Sequence, residues 1–223
     1  MKLRLTERHR TGFTMVELLV VIVIIVVLAA LSYVGVSRAR DATNRASSIA
    51  NLRQLGIGMV TFTADNNGYL PASRVGTTFW PQVIYPYVPS PAVFVRPGSK
   101  NVPMDAAHPD GYFSGVDAKT PEGQPIRWNY VINGGGAKLP FCEFPDNPNA
   151  ARGLARSMAT VEQPDRTVFL ADGTSWWLNA EAKPDSKRMY RWKNGTTNVL
   201  FGDGSTRNLN CKTDLIASQF LVD

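Results

Sequence analysis

The chain has 223 residues, of which 44% are hydrophobic and 19% charged, with two cysteines, two histidines and a formal net charge of +6. This composition excludes a disordered chain, a collagen-like repeat and a small disulfide-dense scaffold. It gives no nucleic-acid role either, because Lys2, Arg4, Arg8 and Arg10 against Glu7 supply half of the net charge within the first ten residues.

Residues 1–12 read as a basic leader. Basic residues just before the first apolar span hold the amino end in the cytoplasm and send the remainder across the membrane. After Glu17 no charge occurs until Arg38, which leaves twenty uncharged residues. At a rise of about 1.5 Å per residue these cover roughly the 30 Å of a bilayer's hydrocarbon. The reading is a transmembrane segment over about residues 15–36 of a single-pass inner-membrane protein. A carboxylate inside such a run costs about 2.5–3.5 kcal/mol on insertion scales, so Glu17 calls for a partner or a function. If the chain is cut after Gly12, Phe13 gains a free α-amine at the membrane depth of a carboxylate on a neighbouring copy. The pairing is then between subunits.

Gly12-Phe13-Thr14, followed by Glu17 and a Leu/Val/Ile run, resembles the prepilin cleavage and methylation signal of type IV pilins and type II secretion pseudopilins. The resemblance implies cleavage between Gly12 and Phe13 by a prepilin peptidase, N-methylation of Phe13 by the same enzyme, and a role for Glu17 in assembly. It further implies an α+β, pilin-like fold: a long N-terminal helix over residues 13–65, membrane half plus amphipathic half, packed on an antiparallel β-sheet head over residues 66–223. Implied partners are the prepilin peptidase/methyltransferase, other copies or related pseudopilins in a filament, an inner-membrane assembly platform, and lipid. An ordinary secretory signal cut near Ala30-Leu31-Ser32 fits less well, because its apolar region spans about 7–15 residues and has no reason to hold a Glu. An uncleaved anchor explains the length of the run but neither Gly12 nor Glu17.

All fifteen prolines fall at or after Pro71, so nothing before then need break the helix. Beyond the membrane Ala42, Ala46, Ile49, Leu52, Leu55, Met59 and Phe62 recur at spacings of three and four, which predicts one apolar face, with Arg38, Arg40, Arg45 and Arg53 elsewhere on the circumference. The helix is expected to end near Ala64, at the stop signal Asp65-Asn66-Asn67-Gly68, which lacks the alternating acidic spacing of a calcium loop. From Tyr69 to about Gly123, proline and aromatic residues predict loops and short edge strands packed over the helix. Alternation then returns at Trp128–Ile132, Thr167–Ala171, Met189–Trp192 and Asn198–Phe201, which read as strands. The last continues through Gly202-Asp203-Gly204 into Ser205–Leu209 as a hairpin.

This second half is similar to a pseudopilin-like group with a late motif of His, nine residues, then Asp-Gly. Asn198–Phe201, Asp203 and Gly204 stand as expected, whereas Lys193 occupies the place of the His. The chain keeps Asp65, Gly68, Tyr69 and Pro71 of that group's earlier signature but has Arg96-Pro97 in place of its Cys-Pro.

No enzyme, cofactor or metal motif emerges. Once the leader is gone the remaining His is His108, in a turn sequence, and zinc or nucleophilic chemistry needs more. Asp172 and Asp203, each before a Gly, read as turns rather than as a carboxylate pair for glycoside hydrolysis. Trp80, Trp128, Trp176, Trp177 and Trp192 read as core, with one of the adjacent pair exposed if that pair lies in a strand. Cys142 and Cys211 lie in a head placed outside the cytoplasm, where they can form a disulfide, and both outcomes stay open. The expected function is a structural subunit, a prepilin or pseudopilin that enters a type IV pilus-like or type II secretion filament. The competing reading is a membrane-tethered domain that binds carbohydrate or protein, or hydrolyses a substrate, and uses the helix only as an anchor.

Overall fold

The computed structural model describes residues 13–100, 118–134, 141, 154–173, 192 and 194–210. By contacts the chain divides into two compact units, residues 1–40 and 41–223, and the division falls inside the first helix.

Helix α1 runs Met15–Asp65. Its first half is rich in β-branched Val and Ile, which have only moderate helix propensity in water, but in lipid the backbone must satisfy its own polar groups and a helix does so. It is long and apolar enough to cross a membrane, and its apolar window is entirely exposed. It ends at Asp65, the last residue of the helix expected over residues 13–65. Gly68 N–H donates to Thr63 C=O at 2.9 Å, and Asn67 adopts φ 54°, the left-handed step that closes a helix of this kind.

Within the second unit α1 buries Ser48, Leu52, Leu55, Met59 and Phe62, spaced four and three apart. The predicted apolar face is therefore shorter than the sequence suggests: Ala42 and Ala46 are exposed, and so are the large apolar Ile57 and Val60 on the far side. The buried stripe lies against an antiparallel sheet of order β4-β6-β7-β8, built from Tyr130–Ile132, Val168–Asp172, Thr196–Phe201 and Thr206–Asn210. Strand β6 is buried at all five positions. Val168 faces Phe201 and Leu170 faces Leu200 across to β7. A Cβ at Gly56 would stand 3.2 Å from Leu200, so the bare glycine lets α1 approach β7 closely.

Before the sheet come β1 (Tyr69–Pro71), the β2–β3 hairpin (Arg74–Val75 and Thr78–Phe79) and the short α2 (Trp80–Ile84). Two 3-10 turns follow at Tyr85–Tyr87 and Pro91–Phe94. Strand β1 pairs with β5 (Leu154–Ser157) as a separate two-stranded sheet. The proline-rich stretch thus carries more helix than predicted. Proline at the first positions of α2 and of both 3-10 turns explains this, since the ring fixes φ for a helical start and the missing N–H costs nothing there. Aromatic contacts knit this layer, with Trp80 and Tyr85 against Phe94 and Phe62 edge-on to Tyr87 at 5.7 Å.

The fold is α+β, with a long N-terminal helix and antiparallel sheets. The hairpin at Gly202–Ser205 forms as expected, Asp203 accepting from Ser205 N–H at 2.8 Å. Trp192 lies outside any strand, and the remainder of the predicted strand Met189–Trp192 lies outside the described residues.

Candidate functional site

The amino-terminal motif begins where α1 begins. The first helical N–H groups have no intrahelical partner, and Thr14 and Glu17 meet that need reciprocally. Glu17 N–H donates to Thr14 Oγ1 at 3.2 Å, while Glu17 Oε2 accepts from Thr14 N–H and from Thr14 Oγ1, both at 2.9 Å. This is a capping box, Thr at the N-cap and Glu at the third helical position. Its sequence signal is Thr14 with Glu three residues on, just before the apolar run. Glu17 thus sits in the first turn, where the helix dipole favours an anion, rather than deep within the run. Phe13 is 86% exposed one residue before the cap. Gly12, the other half of the predicted scissile bond, lies outside the described residues.

Of the remaining predicted positions, Cys142, Cys211, Lys193, His108, Trp176 and Trp177 also lie outside the described residues. Trp80, Trp128 and Trp192 are buried, as core readings require. Asp172 and Asp203 are not a pair. Asp203 is exposed in the β7–β8 turn, as expected, whereas Asp172 corrects the turn reading: it ends strand β6 and is completely buried. Its Oδ1 accepts from Ser48 Oγ, and its Oδ2 accepts from Trp192 Nε1 at 2.7 Å and from Asn198 N–H at 3.3 Å. Asn198 Nδ2 in turn donates to Arg45 C=O of α1 at 3.1 Å. The sequence hint for this cluster was Ser48, a polar residue at an apolar-stripe position four before Leu52. Among the described residues no group of three or more His, Cys, Asp or Glu could hold a metal ion.

Residues 8–33 match the family model of the prokaryotic N-terminal methylation motif, a stretch that includes Gly12, Phe13 and Glu17. The motif, with the long apolar helix and the antiparallel sheets, supports a type IV pilin-like or pseudopilin-like protein. Such a motif implies processing by a prepilin peptidase. No curated protein and no solved structure matches the chain.

Proposed function

We propose that the chain is a prepilin or pseudopilin subunit that assembles through α1 into a type IV pilus-like or type II secretion filament, and that it is not an enzyme. The methylation-motif match at residues 8–33 carries this reading. A prepilin peptidase cuts between Gly12 and Phe13 and methylates the new amine. The basic leader holds the amino end in the cytoplasm, the apolar half of α1 crosses the inner membrane once, and the head faces the periplasm or exterior. In the monomer Thr14 occupies the Glu17 carboxylate. On assembly the Phe13 amine of a neighbouring copy, aided by the assembly platform, takes up the carboxylate in surroundings of low dielectric, where opposite charges relieve each other's desolvation.

Mass analysis of the mature amino terminus tests the processing step. The expected peptide begins with N-methylated Phe13, and replacing Gly12 by a bulky residue leaves the leader attached. A mature chain beginning at Met1 or near Ser32 contradicts the proposal.

A further inference from the structure

Asp172 is the only carboxylate among the described residues that is fully buried, and it stands where three parts of the head meet. Helix α1 contributes Ser48, whose hydroxyl donates to Asp172 Oδ1 and also lies 3.4 Å from Tyr130 Oη of β4, with either oxygen able to donate. Strand β7 contributes the Asn198 N–H, and Trp192 contributes its indole N–H. The charged or titratable groups facing the carboxylate are Tyr130 from β4 and Arg96 from the segment after the second 3-10 turn. The Arg96 guanidinium lies over the Trp192 ring at 5.3 Å.

This arrangement serves both protonation states. When Asp172 is ionised it only accepts, and Ser48, Trp192 and Asn198 are its donors. When a solvent proton binds at Oδ1, the new O–H donates to Ser48 Oγ, and Ser48 turns its own hydroxyl toward Tyr130 Oη. Trp192 and Asn198 keep Oδ2 throughout, so none of the three donors is orphaned. A buried carboxylate without such a reversible neighbour would lose a bond on protonation.

We propose that Asp172, Ser48 and Tyr130 form a proton-linked latch between α1 and the sheet, through which the head takes up one proton in mild acid and is held more tightly for it. Burial pushes the Asp172 carboxyl up to about 6, against the opposing pull of Ser48, Arg96, Trp192 and Asn198. A carboxyl raised in the folded state binds its proton more tightly there than in the unfolded chain. Its stabilising contribution is therefore fully present below the ordinary value of 3.8 and is lost as pH rises through about 6. This is the reverse of common acid denaturation. The latch works within the head whether or not the chain enters a filament. If the head is extracytoplasmic, it tightens as the surroundings acidify.

The test uses the full chain in detergent, with thermal unfolding followed by near-ultraviolet circular dichroism and protonated carboxyl followed by infrared difference spectra. Wild type is expected to gain roughly 5 °C in Tm as the pH falls from about 6 toward 3.8, and a protonated-carboxyl band of the folded protein should appear with its midpoint near pH 6. In Asp172→Asn the amide resembles the protonated state: its N–H₂ donates to Ser48 and its oxygen accepts from Trp192 and Asn198. The variant should already show the raised Tm at neutral pH, should stay flat over the same range and should lack the band. A wild-type Tm that is unchanged or falls over that window, or a band that persists in Asp172→Asn, overturns the latch. Should Asp172→Asn not fold, Ser48→Ala decides. With one donor fewer on the carboxylate its midpoint moves above the wild-type value, and an unmoved midpoint overturns the proposal.

Discussion

Under the proposed function Glu17 answers two demands, and they are separable by one atom of chemistry. As a cap it needs an acceptor oxygen facing Thr14 N–H, and as an assembly contact it needs a negative charge. Glutamine meets the first demand and not the second, since Gln also closes a capping box. Glu17→Gln is therefore expected to keep the start of α1, to be inserted and to be cleaved, yet to be lost from sheared filaments. Glu17→Val removes both functions and loosens the first turn by about 1 kcal/mol as well. Co-expression with wild type, followed by quantifying each chain in the filament fraction, reads the difference. Equal entry of Glu17→Gln would falsify the charge role while leaving the cap intact. The spacing of Thr14 and Glu17 held this cap in plain view. Asp172 was less legible because Asp-Gly is a strong local turn signal, whereas its burial is decided by Ser48, 124 residues earlier, and by Trp192, 20 residues later.

In the second half of α1, burial rather than propensity decides what each residue is worth. Leu55 is fully buried against the sheet, whereas Ile57, two positions on, is 67% exposed. Truncating Leu55 to Ala leaves a hole under the helix and should cost about 2–5 kcal/mol. Ile57→Ala in the monomer should fall within about 0.5 kcal/mol of wild type. Thermal melts of both variants in detergent check this orientation, and comparable losses would show that the helix is turned the wrong way. The period of three and four was legible from sequence, as was the end of the helix. Where the stripe begins was not, because the small side chain of Ala42 or Ala46 suits either an exposed or a buried position, and only packing against β6 and β7 decides between them.

At the scale of the whole chain, the division between Arg40 and Asp41 leaves the buried stripe of α1, all three described sheets and the aromatic layer in one unit. A chain beginning at Asp41 is expected to stay soluble without detergent and to melt cooperatively. Size-exclusion chromatography with a circular-dichroism melt checks this, and aggregation at low concentration would show that the membrane half is needed for folding. The order of elements was largely legible in the sequence because the apolar run, the absence of proline before Pro71 and the later alternation are local signals. The pairings of β6 with β4 and with β7 are not local, since they join residues whose proximity no spacing records, whereas the β7–β8 hairpin is marked by its turn.

The closed Thr14–Glu17 ring also bears on supply. A subunit whose carboxylate is already occupied has little to gain from a chance encounter in the bilayer, since an incoming amine must first displace bonds each worth about 0.5–1.5 kcal/mol. For a chain that assembles, this keeps a reserve of single copies dispersed in the membrane, ready for use and protected from premature clustering. Under the same proposal, a copy released from such a filament would close the ring again and return to the same self-satisfied state.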